Sequence, residues 1–514
     1  MNGAEGLIRT AVASGVELCL ANPGTTEMQL VAALDAVPGM RAVLGLFEGV
    51  CTGAADGYAR MTGRPALTLL HLGPGFANGI ANLHNARRAH SPVVNLIGDH
   101  ASWHLAADAP LTSDIAALAG AVSGWVRRCA TASYLPADGA DAIAAALDPP
   151  GQVATLIVPQ DSAWDRCPGP AAPAKLRARL AVGDLRVEAA AAALTSGSPA
   201  ALFLGGVGLR APALRAAARI AAATGCSLIH ETFAARVERG AGLPAVERLP
   251  YFPEQGADRL RPLAHLVLVG AREPVAFFGY PDHPSRLAAS GTRISLLAEV
   301  GEDITSALEA LALRVKAPTR IAVPTPERVA PPTGALTAGS LGQALAALQP
   351  ENAIVVDEGA TSGLAYFALA AGAPPHDTLT LTGGAIGQGL PAAVGAALAC
   401  PDRKVIAFQA DGSGMYTLQS LWTCARESLD VVVVIAANRA YRILQVELAR
   451  AGIAEPGAQA RALTDLSHPV LDWVSLARGM GVPGVRAETV DEFVAAFRRA
   501  LAEPGPQLIE AVLA

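Results

Sequence analysis

The stretch VIAFQADGSGMYTLQSLWTCARESLDVVVVIAAN, residues 405–438, decides how the rest of the chain is read. Two apolar runs, Val405–Phe408 and Val431–Ala437, flank a segment of helical character. Neither run alternates polar and apolar residues, so each is predicted to be a strand buried on both faces of a parallel sheet. A strand, a helix and a second strand in that order make a βαβ unit. Between the first strand and the helix stands Gln409-Ala410-Asp411-Gly412-Ser413-Gly414. Small residues let backbone amides approach an anion, and a helix start turns its free N–H groups toward the same point. That arrangement suits a diphosphate. An acidic Asp411 is unfavourable there unless a cation lies between, and a hard divalent ion would accept carboxylate and phosphate oxygens together. The next strand ends at Asn438, 27 residues after Asp411. One helix and one strand fill that interval, so the two side chains are predicted to meet at neighbouring strand ends, where open α/β sheets bind ligands. Arg439-Ala440-Tyr441 follows and can add a backbone carbonyl.

The same pattern recurs along the 514 residues. Apolar runs at 66–72, 92–98, 154–159, 200–206, 265–270 and 352–359 alternate with Ala-rich helical stretches. Pro-rich segments at 162–179 and 315–337 read as linkers, because repeated proline removes backbone donors and favours extended chain. The expected architecture is α/β, with three doubly wound parallel-sheet domains at 1–165, 180–318 and 335–514. A 52% hydrophobic content is enough for large cores. No apolar run approaches the roughly 20 residues of a membrane span, and no signal peptide is expected from the first residues. Net charge is −6 without a Lys/Arg run, which argues against a nucleic-acid partner. Seven cysteines form no C-x-x-C pair, so neither a zinc site nor a disulfide framework is suggested. A soluble, cytoplasmic protein with no nucleic-acid and no membrane partner is expected.

A second carboxylate stands out in LGLFEGVCTGAADGYARMTGRPA. Glu48 lies among Leu44, Leu46, Phe47 and Val50. Desolvation would raise its pKa and suit it to share a proton with a ring nitrogen.

The segment 410–441 resembles the thiamine-diphosphate-binding motif that runs from Gly-Asp-Gly to Asn-Asn. The resemblance implies that Asp411, Asn438 and the carbonyl of Ala440 hold Mg²⁺, with Gly412, Ser413 and Tyr441 at the cofactor. Ala410 and Ala437 depart from the family's Gly and first Asn. Glu48, followed by Ala-Asp-Gly-Tyr-Ala-Arg, is similar to the glutamate that bonds the cofactor's aminopyrimidine and promotes deprotonation of the thiazolium carbon. Pro23 and Gly24 match a turn facing the cofactor, and Thr25 falls where some members place a substrate-side hydroxyl. His71, Asn78 and His90-Ser91-Pro92 line up with benzoylformate decarboxylase, where the matching His moves protons; Asn78 is expected near the substrate. Ile386 takes the place of the apolar residue under the cofactor's bend, Ala385 offers its backbone, and Thr361 is the expected hydroxyl donor of another diphosphate-side turn. Ile443 and Leu444 are expected to line an apolar substrate cavity. Phe278 occupies the place of that family's second catalytic His, and His283 is out of register.

The implied activity is a thiamine-diphosphate-dependent 2-oxo acid decarboxylase or carboligase, similar to benzoylformate decarboxylase. The alternatives are an acetolactate-synthase-like carboligase forming an acyloin or acetohydroxy acid, a 2-hydroxyacyl-CoA or other carbon–carbon lyase, and a non-catalytic cofactor-binding relative. Thiamine diphosphate and Mg²⁺ are the implied cofactors, and FAD is not expected. The implied partners are a small 2-oxo acid or aldehyde and further copies of the chain. A homodimer or homotetramer would place active sites at the subunit interface, with Glu48 and Asp411 of one site on different subunits.

Overall fold

A computed structural model describes residues 1–281, 283–323 and 326–514. Pro324 and Thr325 of the second expected linker, and Asp282 beside His283, lie outside the described residues. The chain divides into two compact units. One comprises residues 1–176, 328–370 and 379–514, and the other residues 177–327 and 371–378.

In the first unit, β1 (Leu18–Asn22), β2 (Arg41–Leu44), β3 (Ala66–His71), β4 (Val93–Asp99), β5 (Trp125–Arg128) and β6 (Val153–Pro159) pair in parallel in the order β2-β1-β3-β4-β6-β5. The apolar runs explain this ladder: every residue of β4 and β6 is buried, as double coverage by helices requires. The chain moves from β1 to β2 on one side and to β3 on the other. The carboxyl ends of β1 and β3 therefore flank a topological switch point, the usual place for a ligand crevice.

In the second unit, β7 (Ala200–Leu204), β8 (Ser227–His230), β10 (Glu247–Arg248), β11 (His265–Val269) and β12 (Arg293–Ala298) form a parallel sheet in the order β10-β8-β7-β11-β12. The short β9 (Val237–Arg239) pairs antiparallel with residues 376–378, a departure from the otherwise parallel ladders.

The first unit contains one more sheet. Its strands β13 (Ile354–Glu358), β14 (His376–Thr380, whose residues 376–378 are counted with the second unit), β15 (Val405–Ala410), β16 (Val431–Ala437), β17 (Gly484–Ala487) and β18 (Gln507–Val512) run in the order β17-β18-β16-β15-β13-β14. The switch point here lies between β13 and β15. Ala410 pairs with Ala436, which brings Asp411 and Asn438 to adjacent strand ends as the opening stretch predicts. Three parallel-dominated α/β sheets are thus present, and the strands expected from the apolar runs all form.

Within the first unit, the helix Glu48–Thr62 packs closely on the helix Gly389–Ala399 through glycines and small side chains, Pro391 against Gly53 among them. A Cβ on Gly57 would lie 2.2 Å from the carbonyl oxygen of Ala392, and one on Gly395 would lie 1.9 Å from that of Ala54. Below this contact, buried Asp56 accepts from Arg60 Nε at 2.8 Å, Arg60 Nη2 at 2.7 Å, Ser91 at 2.5 Å and Gln388 at 2.7 Å. Ser91 and His90 thus take structural places: His90 closes the helix Leu72–Ala89 in the left-handed conformation. Among the described residues, no helix is long and apolar enough to cross a membrane.

Candidate active site

The end of β3 delivers His71, and a strained turn follows it. Leu72, fully buried, has φ +46°, a left-handed conformation that costs a branched side chain free energy. The turn lets Gly73-Pro74-Gly75 start the next helix directly beneath the imidazole. His71 Nδ1 stands 2.9 Å from Glu27 Oε2, and Glu27 is fully buried. Glu27 also accepts the amide of Gly24 at 2.7 Å and the hydroxyl of Thr26 at 2.5 Å. The Thr26 hydroxyl lies 3.2 Å from the same imidazole nitrogen. His71 is thereby anchored through Nδ1, which leaves Nε2 as the nitrogen available to a substrate. Gly24 has to be glycine here: a Cβ would sit 2.2 Å from His71 Nδ1.

Glu48 opens its helix and is 9% exposed. Asn78 donates to its Oε2 at 3.0 Å. A Cβ built on Gly75 would lie 3.0 Å from Glu48 Oε1 and 3.2 Å from His71 Cβ. Glu48, His71 and Asn78 therefore converge on Gly75, with Pro23 and Gly24 partly exposed beside them. Thr25 is exposed, and the neighbouring Thr26 is the hydroxyl wired to His71.

The third sheet presents a different kind of site. Asp411, 3% exposed, begins a short helix at the end of β15. Its Oδ1 accepts the amide of Gly412 at 2.8 Å and its Oδ2 that of Arg439 at 2.7 Å. Burial pushes its carboxyl above the usual range, and these amides oppose the shift. Asn438 Oδ1 accepts from the amide of Ala440 at 3.0 Å. Arg439 adopts φ +56°, in the left-handed region, while its N–H closes on Asp411. Ala410 has φ −80°, so its methyl is accommodated without strain. Gly412 leaves room for Tyr441, whose ring carbon would be 2.5 Å from an added Cβ. Ser413 is buried, and its hydroxyl accepts from Gln409 at 2.5 Å. One carboxylate, one amide oxygen and a nearby carbonyl form an oxygen donor set. Such a set fits a hard cation that completes its shell with phosphate and water. Among the described residues, no group of three or more His, Cys, Asp or Glu could hold a metal without such help.

The turn 383–389 is gripped from two sides. Asn85 donates to the carbonyl of Ala385 at 2.7 Å and accepts from its amide at 3.2 Å. Glu358 accepts the amides of Gly387 at 2.6 Å and Gly389 at 2.5 Å. Burial raises the Glu358 pKa to about 7 against the pull of those amides. His84 meets the carbonyl of Gly383 at 3.1 Å. Ile386, Thr361 and Ile443 are partly exposed, and Leu444 is 47% exposed on a helix with no buried residue. None of Glu48, His71 and Asn78 shares a hydrogen bond with Asp411 or Asn438 among the described residues. In the second unit, Phe278 is 54% exposed and packs edge-on against Phe277 at 4.8 Å.

Sequence reading missed Glu27, Thr26, Asn85 and Glu358. The signal at Glu27 was ambiguous: a Glu three residues after Gly24 at a helix start reads as a capping box, and it makes that contact too.

Residues 1–118 match the family model for the N-terminal TPP binding domain of thiamine pyrophosphate enzymes, and residues 359–511 match that for the C-terminal TPP binding domain. The chain is 54% identical to a Mycobacterium tuberculosis protein provisionally named the acetolactate synthase large subunit IlvX, over 100% of this chain and 99% of that one. It is 31% identical to a benzoylformate decarboxylase of Pseudomonas aeruginosa, with 96% of each covered. Among solved structures, the thiamine diphosphate-dependent 4-hydroxybenzoylformate decarboxylase of Rhodococcus jostii RHA1 superposes with a TM-score of 0.89. It is 26% identical and covers 100% of this chain and 99% of that one.

Proposed function

Because the chain belongs to the thiamine diphosphate enzymes, related to benzoylformate decarboxylases and acetolactate synthases, we propose that it decarboxylates a small 2-oxo acid. The observation that carries this reading is the convergence of Glu48 and the Glu27-anchored His71 on Gly75. Glu48 would exchange a proton with the cofactor's ring nitrogen through its carboxyl, and Asn78 orients that group. His71 presents Nε2 to exchange protons with the substrate. Thiamine diphosphate, when bound, supplies the electron sink for carbon–carbon cleavage. Asp411 and Asn438, with the Ala440 carbonyl, would hold Mg²⁺ against its diphosphate, and Gly412, Ser413, Tyr441 and Thr361 would surround that group. Pro23, Gly24, Ala385 and Ile386 would face the rings. Thr25, Asn78, Ile443 and Leu444 would border the substrate. Among the described residues the Glu48 and Asp411 groups share no hydrogen bond, which supports a site completed by a second copy in a homodimer or tetramer.

Carboligation of the same bound substrate to a second carbonyl is the second reading. It is favoured by the name of the 54% identical relative and by Phe278 standing where a second proton-carrying His is expected. The test is a panel of 2-oxo acids, including pyruvate and benzoylformate, offered to the protein with thiamine diphosphate and Mg²⁺. CO₂ release with an aldehyde product supports decarboxylation, and an acyloin or acetohydroxy acid supports ligation. No CO₂ from any substrate overturns both.

A further inference from the structure

The carboxyl end of β4 carries an imidazole that nothing above employs. His100 follows Asp99, the last residue of β4, and β4 lies beside β3 with Gly98 opposite His71. Neighbouring strands are about 4.8 Å apart, and two residues of extended chain span at most about 7 Å. His100 therefore stands over the same sheet end as His71. The contact is close: Glu27 Oε1 would be 1.8 Å from a Cβ on Gly98, so the Glu27 carboxylate crosses β4 just before His100.

The ring is held in place. The His100 amide donates to Asp99 Oδ1 at 2.8 Å, and fully buried Asp99 is neutralised by Arg128. The ring packs edge-on against His104 at 5.5 Å, and His104 packs against Trp103 at 5.6 Å. Yet His100 Nε2 is buried and, among the described residues, has no hydrogen-bond partner. A buried polar nitrogen left unpaired is costly, and a partner beyond the described residues would relieve that cost. His100 stands at the end of the strand next to β3, and β3 with β1 flanks the switch-point crevice where this sheet would take a ligand.

The geometry points to His100 as a second substrate-binding imidazole, whose Nε2 hydrogen-bonds the carboxylate of a small 2-oxo acid held between the ends of β3 and β4. This inference rests on the 2-oxo acid reading above and deepens it. His71 and His100 divide the work: one, tied to Glu27, faces the reacting carbon, and the other grips the carboxylate. The arrangement places two imidazoles at the substrate although Phe278 stands at the family's second His position.

The experiment compares His100→Ala, His100→Gln and His100→Asn with wild type, each loaded with thiamine diphosphate and Mg²⁺. The expected result for His100→Ala is a rise in substrate KM of about 10- to 100-fold with kcat within about 3-fold. The Gln variant, whose amide nitrogen reaches the place of Nε2, recovers most of the affinity, and the shorter Asn does not. KM values within about 2-fold of wild type in all three variants overturn the inference, because the nitrogen then meets only water. Loss of thiamine diphosphate affinity in His100→Ala also overturns it, because the ring is then a structural support. If wild type releases CO₂ from no 2-oxo acid, the decarboxylase reading fails by itself. The inference is then decided by titrating pyruvate and benzoylformate against Trp103 fluorescence, with Trp103→Phe as background. Binding weakened by His100→Ala supports it, and the absence of binding overturns it.

Discussion

The ends of β3 and β15 solve different problems with different parts of the chain. At β3, side chains do the wiring: Glu27 to His71, Thr26 to both, and Asn78 to Glu48. At β15 the backbone does it: the amides of Gly412 and Arg439 close on Asp411, and that of Ala440 closes on Asn438. The first arrangement suits proton transfer, which requires titratable groups held in a chosen orientation. The second suits an anion and its metal, which require fixed dipoles and oxygen donors. Single substitutions should therefore strike turnover at the first site and cofactor retention at the second.

The sharpest way to break that contrast is Glu48→Gln. It should lower kcat by about 10²- to 10⁴-fold with cofactor affinity little changed, measured with thiamine diphosphate in excess. Unchanged turnover would remove the proton-transfer role from the β3 site. Asp411→Ala should do the reverse. Wild type should gain about 2.7 kcal/mol of stability at a hundredfold excess of cofactor over Kd, read as a Tm shift with thiamine diphosphate and Mg²⁺. In the variant that shift should vanish, and a full shift would place the cation elsewhere. Next in size is Glu27→Gln, which frees the His71 ring. A loss of about 10- to 100-fold in kcat/KM with the cofactor Tm shift intact is expected. The smallest effects separate two neighbours. Thr26→Ala should cost about 10-fold in kcat/KM and Thr25→Ala no more than about 3-fold; the opposite order would move the substrate-side hydroxyl to Thr25.

Glu358 sharpens the comparison differently, since it serves the turn between the two sites. Its pKa is raised from an ordinary 4.5 to about 7 in the folded protein. The folded state thus binds the proton more tightly than the unfolded chain. Its contribution to stability is complete below about pH 4.5 and is lost as pH rises toward 7. Melting temperatures measured across that window should fall less steeply for Glu358→Gln than for wild type. An identical slope would show that the two amides keep the carboxylate charged throughout.

The sheets were legible because continuous apolar runs such as Val431–Ala437 have few alternatives to a doubly covered parallel strand. Asp411 and Asn438 were legible because one βαβ unit fixes their separation. Glu27 was not, because its partner His71 is 44 residues away and only the pairing of β1 with β3 joins them. Asn85 and Glu358 were hidden for the same reason: their ligands are backbone amides and carbonyls, which leave no trace in side-chain identity. At Thr25 the motif marks one hydroxyl for the substrate side, while the hydroxyl wired to His71 belongs to its neighbour Thr26.

The glycine-lined contact between the helices Glu48–Thr62 and Gly389–Ala399 has a consequence for how such a protein can diversify. Main chain approaches main chain there with only small groups such as the Pro391 ring between, so the interval between the two helices of one chain is a rigid gauge. Drift in the surrounding core cannot retune that interval gradually. A new substrate has to be accommodated in the loops that border the gauge, after Asn22, after Asp99 and after Asn438, where a change of residue leaves the spacing of the fixed parts untouched.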